Sequence, residues 1–449
     1  MARSLPPRPS LEHLRKEAKA VLAAQKAGRI DGCRQLRLLP RLADSGDGTL
    51  FEARVSLQDA QMSVALDYGF ANWGALKRHV ESLRLDQADE AAPEEAAAKN
   101  PTCGAAVRLF KELRDNPLYQ RSQMWALMVA MRALGRDDSD YATLMAVSGW
   151  SGQFVYSAKP DWPTFAEPVP TVRRACDAMG MAVEETRPAS ADEAFDFVFR
   201  SCGDDRPVVA DHLEYGLFVG ADDGEEPLVH YFVCPFFSDG VWWSREQFAD
   251  TWWKGPGDKR LFRLAGPAKP ADAGKVACET LAELARLATE TYWTDWRKKA
   301  APNATTGLRA IEQYAADVAD PSHAMQDNDE TNKDTCFFER GWGCYAIYPQ
   351  WTARECTARY LEKAARFFES DAAEHVRDAS RKFRAAYHAW QQWEPHLGRP
   401  EKFGAYDDRW ADPEHRRAGS DAALSALAHE KEAIASVKRA LSAIENKRV

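Results

Sequence analysis

The sequence predicts an α+β protein in which a central segment of mixed helices and strands lies between two helical segments. Hydrophobic residues make up 45% and aromatic residues 11% of the 449 residues, which is enough to bury substantial cores. Apolar residues recur at helical spacing in the first and last parts of the chain, whereas strand-like apolar runs occur in the middle. Helices followed by an antiparallel set of strands are the α+β order.

The bulk composition excludes several classes of function. Lys and Arg total 59 against 68 Asp and Glu, a formal charge of −9, so the chain lacks the basic surplus that nucleic-acid phosphates require. No apolar run reaches the ~18 to 20 residues of a membrane span, and the N-terminus lacks the apolar core of a signal peptide. Nine cysteines without repeated spacing suit a reducing compartment. We therefore expect a cytoplasmic protein that binds neither nucleic acid nor membranes.

The N-terminal segment, residues 1–86, is predicted to be a helical bundle. Its first helix is predicted to begin after the cap Ser10 and to stop at Gly28. A second helix is predicted from the cap Ser56, with Asp59 in its first turn, to Gly69. A third helix should follow shortly afterwards. Residues 87–101 contain no aromatic or branched apolar residue, which predicts an exposed linker.

The N-terminal segment also carries a recognisable pattern. Asp-Ala-Gln at 59–61 is followed by Tyr-Gly-Phe at 68–70, then by Trp73 and Leu76. This pattern resembles a helical module that precedes ankyrin repeats and other domains in many bacterial proteins. No ankyrin repeat follows it here. The resemblance implies an accessory role in which the module contacts a protein partner.

The middle segment, residues 102–268, is predicted to begin with helices. A helix from Ser122 to Leu134 places Trp125, Met128 and Met131 at helical spacing, and we expect this face to pack on the sheet formed by later residues. Capping boxes are predicted at the starts of two further helices. They pair Ser190 with Glu193 and Ser244 with Gln247.

Four apolar runs in the middle segment predict the strands of an antiparallel sheet. They are "RPVVADHL" (206–213), "YGLFVGAD" (215–222), "PLVHYFVC" (227–234) and "RLFRLAG" (260–266). The segment after them, residues 269–449, is predicted to be an all-α domain, because five stretches carry apolar residues with a period of 3.6. These stretches are 275–296, 305–318, 352–368, 372–393 and 420–444. The long connection at 320–351 is of the kind that is either functional or disordered.

Motifs of the middle segment resemble the papain-like peptidases that trim leader peptides during bacteriocin export. In that family a Cys opens a buried helix ending in Leu-Gly, and a His opens a strand ending in Val-Gly-Tyr-Asp. An Asp then precedes a Pro, and a Trp-Ser…Phe…Trp helix follows. This chain has Leu134-Gly135, "FVGAD" at 218–222, Cys234-Pro235 and "WSREQFADTW" at 243–252. The resemblance implies a papain-like fold with a cleft that takes a small molecule or a peptide.

Counted from those landmarks, the three catalytic positions hold the wrong residues for a cysteine peptidase. The nucleophile position is Ser122, the base position is Glu214, and the base-orienting position is Cys234. Papain-type catalysis requires a thiolate at a helix N-terminus beside an imidazolium. A serine hydroxyl instead needs a base that removes its proton during attack, and a thiol cannot orient that base as Asp orients imidazole. The sequence therefore predicts a degenerate centre.

A rewired centre is the alternative hypothesis. His212 lies two residues before Glu214 and would point to the same strand face, so it is an alternative base for Ser122. The middle and C-terminal segments also resemble the family of the butirosin-biosynthesis aminoglycoside acyltransferase. The stretches that carry this resemblance are "DYATLMAVSGWSGQFVYS", "EYGLFVGADD", "ARYLEKAARFF" and "KFRAAYHAW". It implies an acyltransferase or amide hydrolase, although here no Cys opens the helix.

Other patterns that would indicate a cofactor or metal are weak. Cys336 and Cys344 are eight residues apart without a second pair, and His323 is too remote to complete a zinc site. No glycine-rich phosphate-binding loop is found. His230 lies on the strand after Glu214 and is read as structural. We expect neither a metal nor a cofactor.

Overall fold

The computed structural model describes most of the chain. The described residues are 3, 5, 11–43, 45–70, 72, 73, 76, 80, 101–113, 122–156, 170–210, 215–233, 237–255, 259–269, 271–290, 304–320, 350–397, 409 and 412–446. The chain divides into two compact units. One consists of residues 1–99 with 239–242, and the other of residues 100–238 with 243–449. Residues 87–100 of the predicted linker and most of the connection at 320–351 lie outside the described residues, whereas Pro101, the last residue of that linker, begins a helix.

The described residues between 11 and 67 form four helices and two 3₁₀ turns. The helices are α1 (Leu11–Lys26), α2 (Ile30–Cys33), α3 (Asp47–Glu52) and α4 (Leu57–Asp67), with 3₁₀ turns at Arg34–Leu38 and Pro40–Leu42. Ser56 and Asp59 form a complete capping box at the start of α4, which confirms the predicted helix start. The buried Gln25 donates its side-chain amide to the carbonyls of Leu50 and Ala53 at 3.1 and 3.0 Å, so that α1 holds the end of α3.

Six strands form one sheet, in the order β2-β7-β3-β4-β5-β6, and all of its residues belong to the second unit except 239–242 of β6. They are β2 (Met181–Thr186), β3 (Val208–Ala210), β4 (Gly216–Asp222), β5 (Leu228–Val233), β6 (Phe237–Ser244) and β7 (Leu261–Pro267). The pairs β2–β7, β3–β7, β3–β4 and β4–β5 are antiparallel. The four predicted strands are thus confirmed as β3, β4, β5 and β7, and β2 and β6 are additional. A separate antiparallel pair joins β1 (Val155–Tyr156) to β8 (Thr305–Thr306).

Helices surround this sheet and make up nearly all of the described residues after 268. They are α5 (Pro101–Leu113), α6 (Ser122–Ala133), α7 (Tyr141–Val147), α8 (Thr171–Met179), α9 (Ala191–Gly203), α10 (Arg245–Phe248), α11 (Ala273–Thr289), α12 (Leu308–Ala319), α13 (350–364), α14 (Ser370–Gln391), α15 (Glu394–Leu397) and α16 (Pro413–Asn446). The α+β class is confirmed. Within the described ranges, no helix combines the length and the apolar character needed to cross a membrane.

Helix α6 is enclosed on all sides. Every residue from 122 to 131 is buried, and the helix packs against α5, β3 and β4. Trp125 and Met131 share a core with Leu217 and Phe232 of the sheet, which confirms the predicted packing of this helix. The opposite sheet face is also covered, because Phe218 of β4 contacts aromatic rings of the segment that begins with α10. Burial on both faces explains why β4 is apolar without alternation.

Of the two predicted capping boxes of this unit, one is complete and the other is only partly formed. Ser244 and Gln247 form a complete box at the start of α10. Ser190 caps α9 by accepting the Glu193 N–H at 3.2 Å, but the Glu193 carboxylate accepts the N–H of Ala189 instead of that of Ser190. The helix start is therefore as predicted, while the reciprocal bond has moved one residue back along the chain.

One hydrophobic core extends across residue 268. It contains Val209 and Leu217 from the sheet, Leu281 from α11, Val376 from α14 and Val437 from α16. Burying these side chains together contributes roughly 2 kcal/mol each relative to exposure. The helices after residue 268 therefore complete the core of the α+β segment.

Candidate functional site

Ser122, the predicted nucleophile position, is the first residue of α6 and is 7% exposed. Its Oγ accepts a hydrogen bond from the backbone N–H of Tyr215 at 3.0 Å. Tyr215 directly precedes β4, so this bond joins the start of the enclosed helix to the start of a central strand. The first turn of a helix presents backbone N–H groups and the positive end of the helix dipole, which favour negative charge beside Ser122.

The start of β4, which lies beside Ser122, is held in place by Arg260 and by close packing. Arg260 donates from Nη2 to the Tyr215 hydroxyl at 2.8 Å, and Arg260 itself directly precedes β7. Residue 216 has to be glycine, because a Cβ there would overlap the phenol ring of Tyr231. Tyr231 is only 1% exposed and cannot move aside without disturbing the core. The backbone beside Ser122 is thus fixed by contacts on both sides.

Gln123, the second residue of α6, is fixed through its carbonyl oxygen. Its Oε1 accepts hydrogen bonds from the Trp150 indole N–H and from the Thr171 hydroxyl, the latter at 2.6 Å. All three side chains are at most 3% exposed. Two donors on one oxygen set the orientation of the side-chain amide. The side chain beside the candidate nucleophile position therefore has a single orientation.

The three other predicted site residues, Glu214, Cys234 and the alternative base His212, lie outside the described residues. Their roles stay predictions of the sequence. Ser122 is the one predicted site residue that the structure describes, and its neighbour Tyr215 follows Glu214 directly in the chain.

His230 lies on the same sheet face as α6 but is remote from Ser122. Phe232 pairs with Leu217, so two residues on β5 and two on β4 separate His230 from the level of Tyr215, and at about 3.3 Å per residue this gives about 13 Å along the sheet. The ring of His230 lies 4.5 Å from that of Phe232. Burial, with a smaller effect of Lys111, lowers the pKa of His230 to about 3. A neutral imidazole at that distance cannot act as a base for Ser122.

Three buried cysteines have pKa shifts opposite to the shift that an activated thiol needs. Burial raises the pKa of both Cys176 and Cys356 to about 12, and it also raises the pKa of Cys33. A nucleophilic cysteine needs the opposite shift. These three thiols are apolar packing groups.

Sequence reasoning missed how the groups around Ser122 are joined. Tyr215 and Arg260 open stretches that predict strands, and Gln123 lies in a predicted helix, but each makes its contact through an atom that only the folded chain brings close. A signal was present for Trp150, because "SGWSGQF" belongs to the stretch that resembles the acyltransferase family. An indole N–H in a buried segment needs an acceptor, which would have justified a search for one.

No group of three or more His, Cys, Asp or Glu side chains within the described part of the chain could hold a metal ion. The polar groups around Ser122 are hydroxyl, amide, indole, phenol and guanidinium groups. Such groups bind polar and anionic atoms by hydrogen bonds.

Comparison with protein-family models and with curated proteins finds no match for the chain.

Proposed function

We propose that the chain is a binding protein whose papain-like domain has lost catalysis at the nucleophile position and takes a small molecule or a peptide beside Ser122. The observation that carries the proposal is the hydroxyl at the first position of the enclosed helix α6, hydrogen-bonded to the Tyr215 amide at 3.0 Å. A thiol at this position would gain a lower pKa from the helix dipole, whereas a serine hydroxyl stays protonated at neutral pH.

The energetic argument favours binding over turnover. Removing a member of a catalytic triad lowers the rate by roughly 10⁴-fold or more, because the remaining members act only as a unit. The sequence places Glu214 and Cys234 at the two other positions, and neither can replace an oriented imidazole. Selection for catalysis would not retain such a set, whereas a binding site needs only shape and hydrogen-bonding groups.

A polar group one turn along α6 supports a bound ligand. Trp125 is 1% exposed, and its indole N–H meets no hydrogen-bond acceptor among the described residues. Leaving such a donor buried without an acceptor costs about 1 to 3 kcal/mol. Residues three apart on a helix are neighbours, so this donor belongs to the same end of α6 as Ser122. An oxygen atom of a ligand would remove the cost.

The alternative function is an acyltransferase or amide hydrolase in which Ser122 is the nucleophile and His212 or Glu214 the base. Its support is the position of Ser122 at a helix N-terminus, where donors could stabilise an oxyanion. The contact of a protein partner with the N-terminal helical module also stays a prediction of the sequence.

One panel of short peptides and acylated small molecules separates binding from turnover. We expect some members to raise the melting temperature of the full chain, because a ligand that binds only the folded state stabilises it. The same members should be recovered unchanged by mass spectrometry after prolonged incubation. Ser420→Ala, which removes a buried serine from the helical part of the unit, is the matched control for Ser122→Ala.

Two results would contradict the proposal. A panel in which no member shifts the melting temperature would argue against a binding site. A product that forms with the wild-type chain and with Ser420→Ala, but not with Ser122→Ala, would establish the acyltransferase or hydrolase instead.

A further inference from the structure

One face of α13 hydrogen-bonds to the backbone of residues 151–155. Gln350 accepts the N–H of Val155 at 2.6 Å and donates to its carbonyl at 3.0 Å. Arg354 donates to the carbonyl of Gln153 at 3.0 Å, and Thr357 donates to that of Ser151 at 3.4 Å. Positions 350, 354 and 357 follow the helical spacing that places side chains on one face. Side chains of a helix from the C-terminal part of the chain thus bind the backbone of residues 151–155, in addition to the pairing of β1 with β8.

The charge of Arg354 is neutralised by a carboxylate from another helix. Glu430 of α16 accepts hydrogen bonds from Nε and Nη2 of Arg354, both at 2.8 Å. The two side chains are only 3% and 4% exposed. Trp390 of α14 adds a hydrogen bond to Glu430 at 3.3 Å. The guanidinium is therefore held by the two carboxylate oxygens of Glu430 and by the backbone carbonyls of Gln153 and Gln350. Because the guanidinium is planar, these contacts together fix its orientation.

The backbone that this pair holds leads directly to the candidate site. Trp150 directly precedes residues 151–155, and its indole N–H is one of the two donors that orient Gln123. Gln123 adjoins Ser122, whose hydroxyl accepts the Tyr215 N–H. A continuous series of hydrogen bonds and chain neighbours therefore runs from Glu430 to Tyr215.

We infer that Arg354 and Glu430 are positioning residues of the candidate site, so that the ligand site belongs jointly to the α+β segment and to the C-terminal helices. The inference rests on the proposed function only in taking the surroundings of Ser122 as the ligand site. Stability alone gives little reason for this pair, since well-packed apolar residues of similar volume often replace a buried ion pair without loss. Fixing the direction of a backbone segment requires directional hydrogen bonds, which apolar residues do not make.

Amide hydrogen exchange tests this coupling without any ligand. The amide of Val155 reports the contact with α13, and the amide of Tyr215 reports the contact with Ser122. In Arg354→Lys, which keeps the charge but loses the bidentate geometry, we expect both amides to exchange about five- to tenfold faster than in the wild-type chain. Leu427→Ala, which removes a buried apolar side chain of α16, is the control for general destabilisation and should leave the Tyr215 amide within about twofold of wild type.

A double substitution separates positioning from stability. Arg354→Met with Glu430→Leu replaces the pair by apolar side chains and leaves no unpaired charge, so it is expected to be more stable than Arg354→Met alone, although the Trp390 indole and the Gln153 carbonyl lose this partner. Exchange at Tyr215 that is faster than this variant's loss of global stability accounts for would support the inference. Wild-type protection at Tyr215 in both Arg354→Lys and the double variant would overturn it. If neither variant folds, Glu430→Gln gives the same comparison, with the same two outcomes. Failure of ligand binding with this coupling intact would count against the proposed function alone.

Discussion

At the scale of single residues, the site depends on the difference between a hydroxyl and a thiol at one position. Ser122 occupies the start of an enclosed helix, where the dipole and the free N–H groups of the first turn stabilise an anion. A cysteine there titrates within reach of neutral pH, but a serine does not. The observed hydrogen bond uses the Ser122 oxygen as an acceptor for the Tyr215 amide, which is a structural role.

His230 gives a prediction about the pH dependence of stability. Burial, aided by Lys111, lowers its pKa to about 3 in the folded chain, whereas an unfolded histidine titrates near 6.5. Stability is therefore fully present above about pH 6.5 and is lost as the pH falls towards 3, with about 2 kcal/mol lost by pH 5. We expect His230→Phe to flatten the pH dependence of the unfolding free energy between these limits, as measured by urea denaturation.

The exposed His388 of α14 provides the control. His388→Phe should leave the slope of unfolding free energy against pH as it is in the wild-type chain. If His230→Phe keeps the wild-type slope as well, the buried imidazole is not the group that makes the fold sensitive to acid.

The hydrogen-bond partner of a residue could be predicted from the sequence only where that partner lies close to it along the chain. The caps Ser56 and Ser244 bind groups three residues away, and the sequence predicted both. Tyr215, which bonds to Ser122, is 93 residues away, and the two partners of Gln123 are 27 and 48 residues away, so no local pattern shows these bonds. The position of Ser122 at the start of its helix was predictable, and its surroundings were not.

At the scale of elements, α14 and α16 are joined by an ionic cluster. Asp378 accepts hydrogen bonds from the Ser436 hydroxyl at 2.7 Å and from Arg381 at 3.1 Å, and Lys382 lies 2.9 Å away. Burial alone would raise the pKa of Asp378, but these partners together lower it to about 2. Several charged groups on one carboxylate form a network, which is worth more than an isolated surface pair.

This cluster predicts a second, separate pH effect. The contribution of Asp378 is present above about pH 4 and is lost as the pH falls through 2, because the unfolded carboxyl titrates near 3.9. Asp378→Asn should lower the unfolding free energy by about 1 to 2 kcal/mol at pH 7, after allowance for partial exposure, and by much less near pH 2. Chemical denaturation at both pH values measures it. An equal loss for Asp421→Asn, an exposed carboxylate of α16, would show that the effect is not specific to the cluster.

The two strands that the sequence did not predict show where element patterns fail. β2 is an edge strand that pairs with β7, and of its two glutamates Glu184 is exposed and Glu185 is half-buried, so its alternation is weak. β6 contains Asp239-Gly240, a pair typical of turns, and Gly240 has a φ of 85°. This turn-like pair inside β6 explains why short sequence patterns did not predict a strand there.

At the scale of the whole molecule, the C-terminal helices and the α+β segment form one body around a shared core. The five long C-terminal helices were predictable from their 3.6-residue period, since that period shows which face is buried, whereas the four-residue α15 was not predicted. The period does not show what the face is buried against. Leu281 and Val437 therefore looked like the core of a separate helical domain, although they pack in the same core as the sheet residue Leu217.

Covalent labelling of the full chain by a fluorophosphonate at neutral pH tests the central claim, loss of catalysis at Ser122, most directly. The account predicts that intact-mass measurement finds no adduct on Ser122, because without an oriented base the hydroxyl stays protonated. A thiol alkylator, used in parallel, should not change this result. Stoichiometric labelling at Ser122 that disappears in both Ser122→Ala and His212→Ala would contradict the account and establish a rewired acyltransferase or hydrolase.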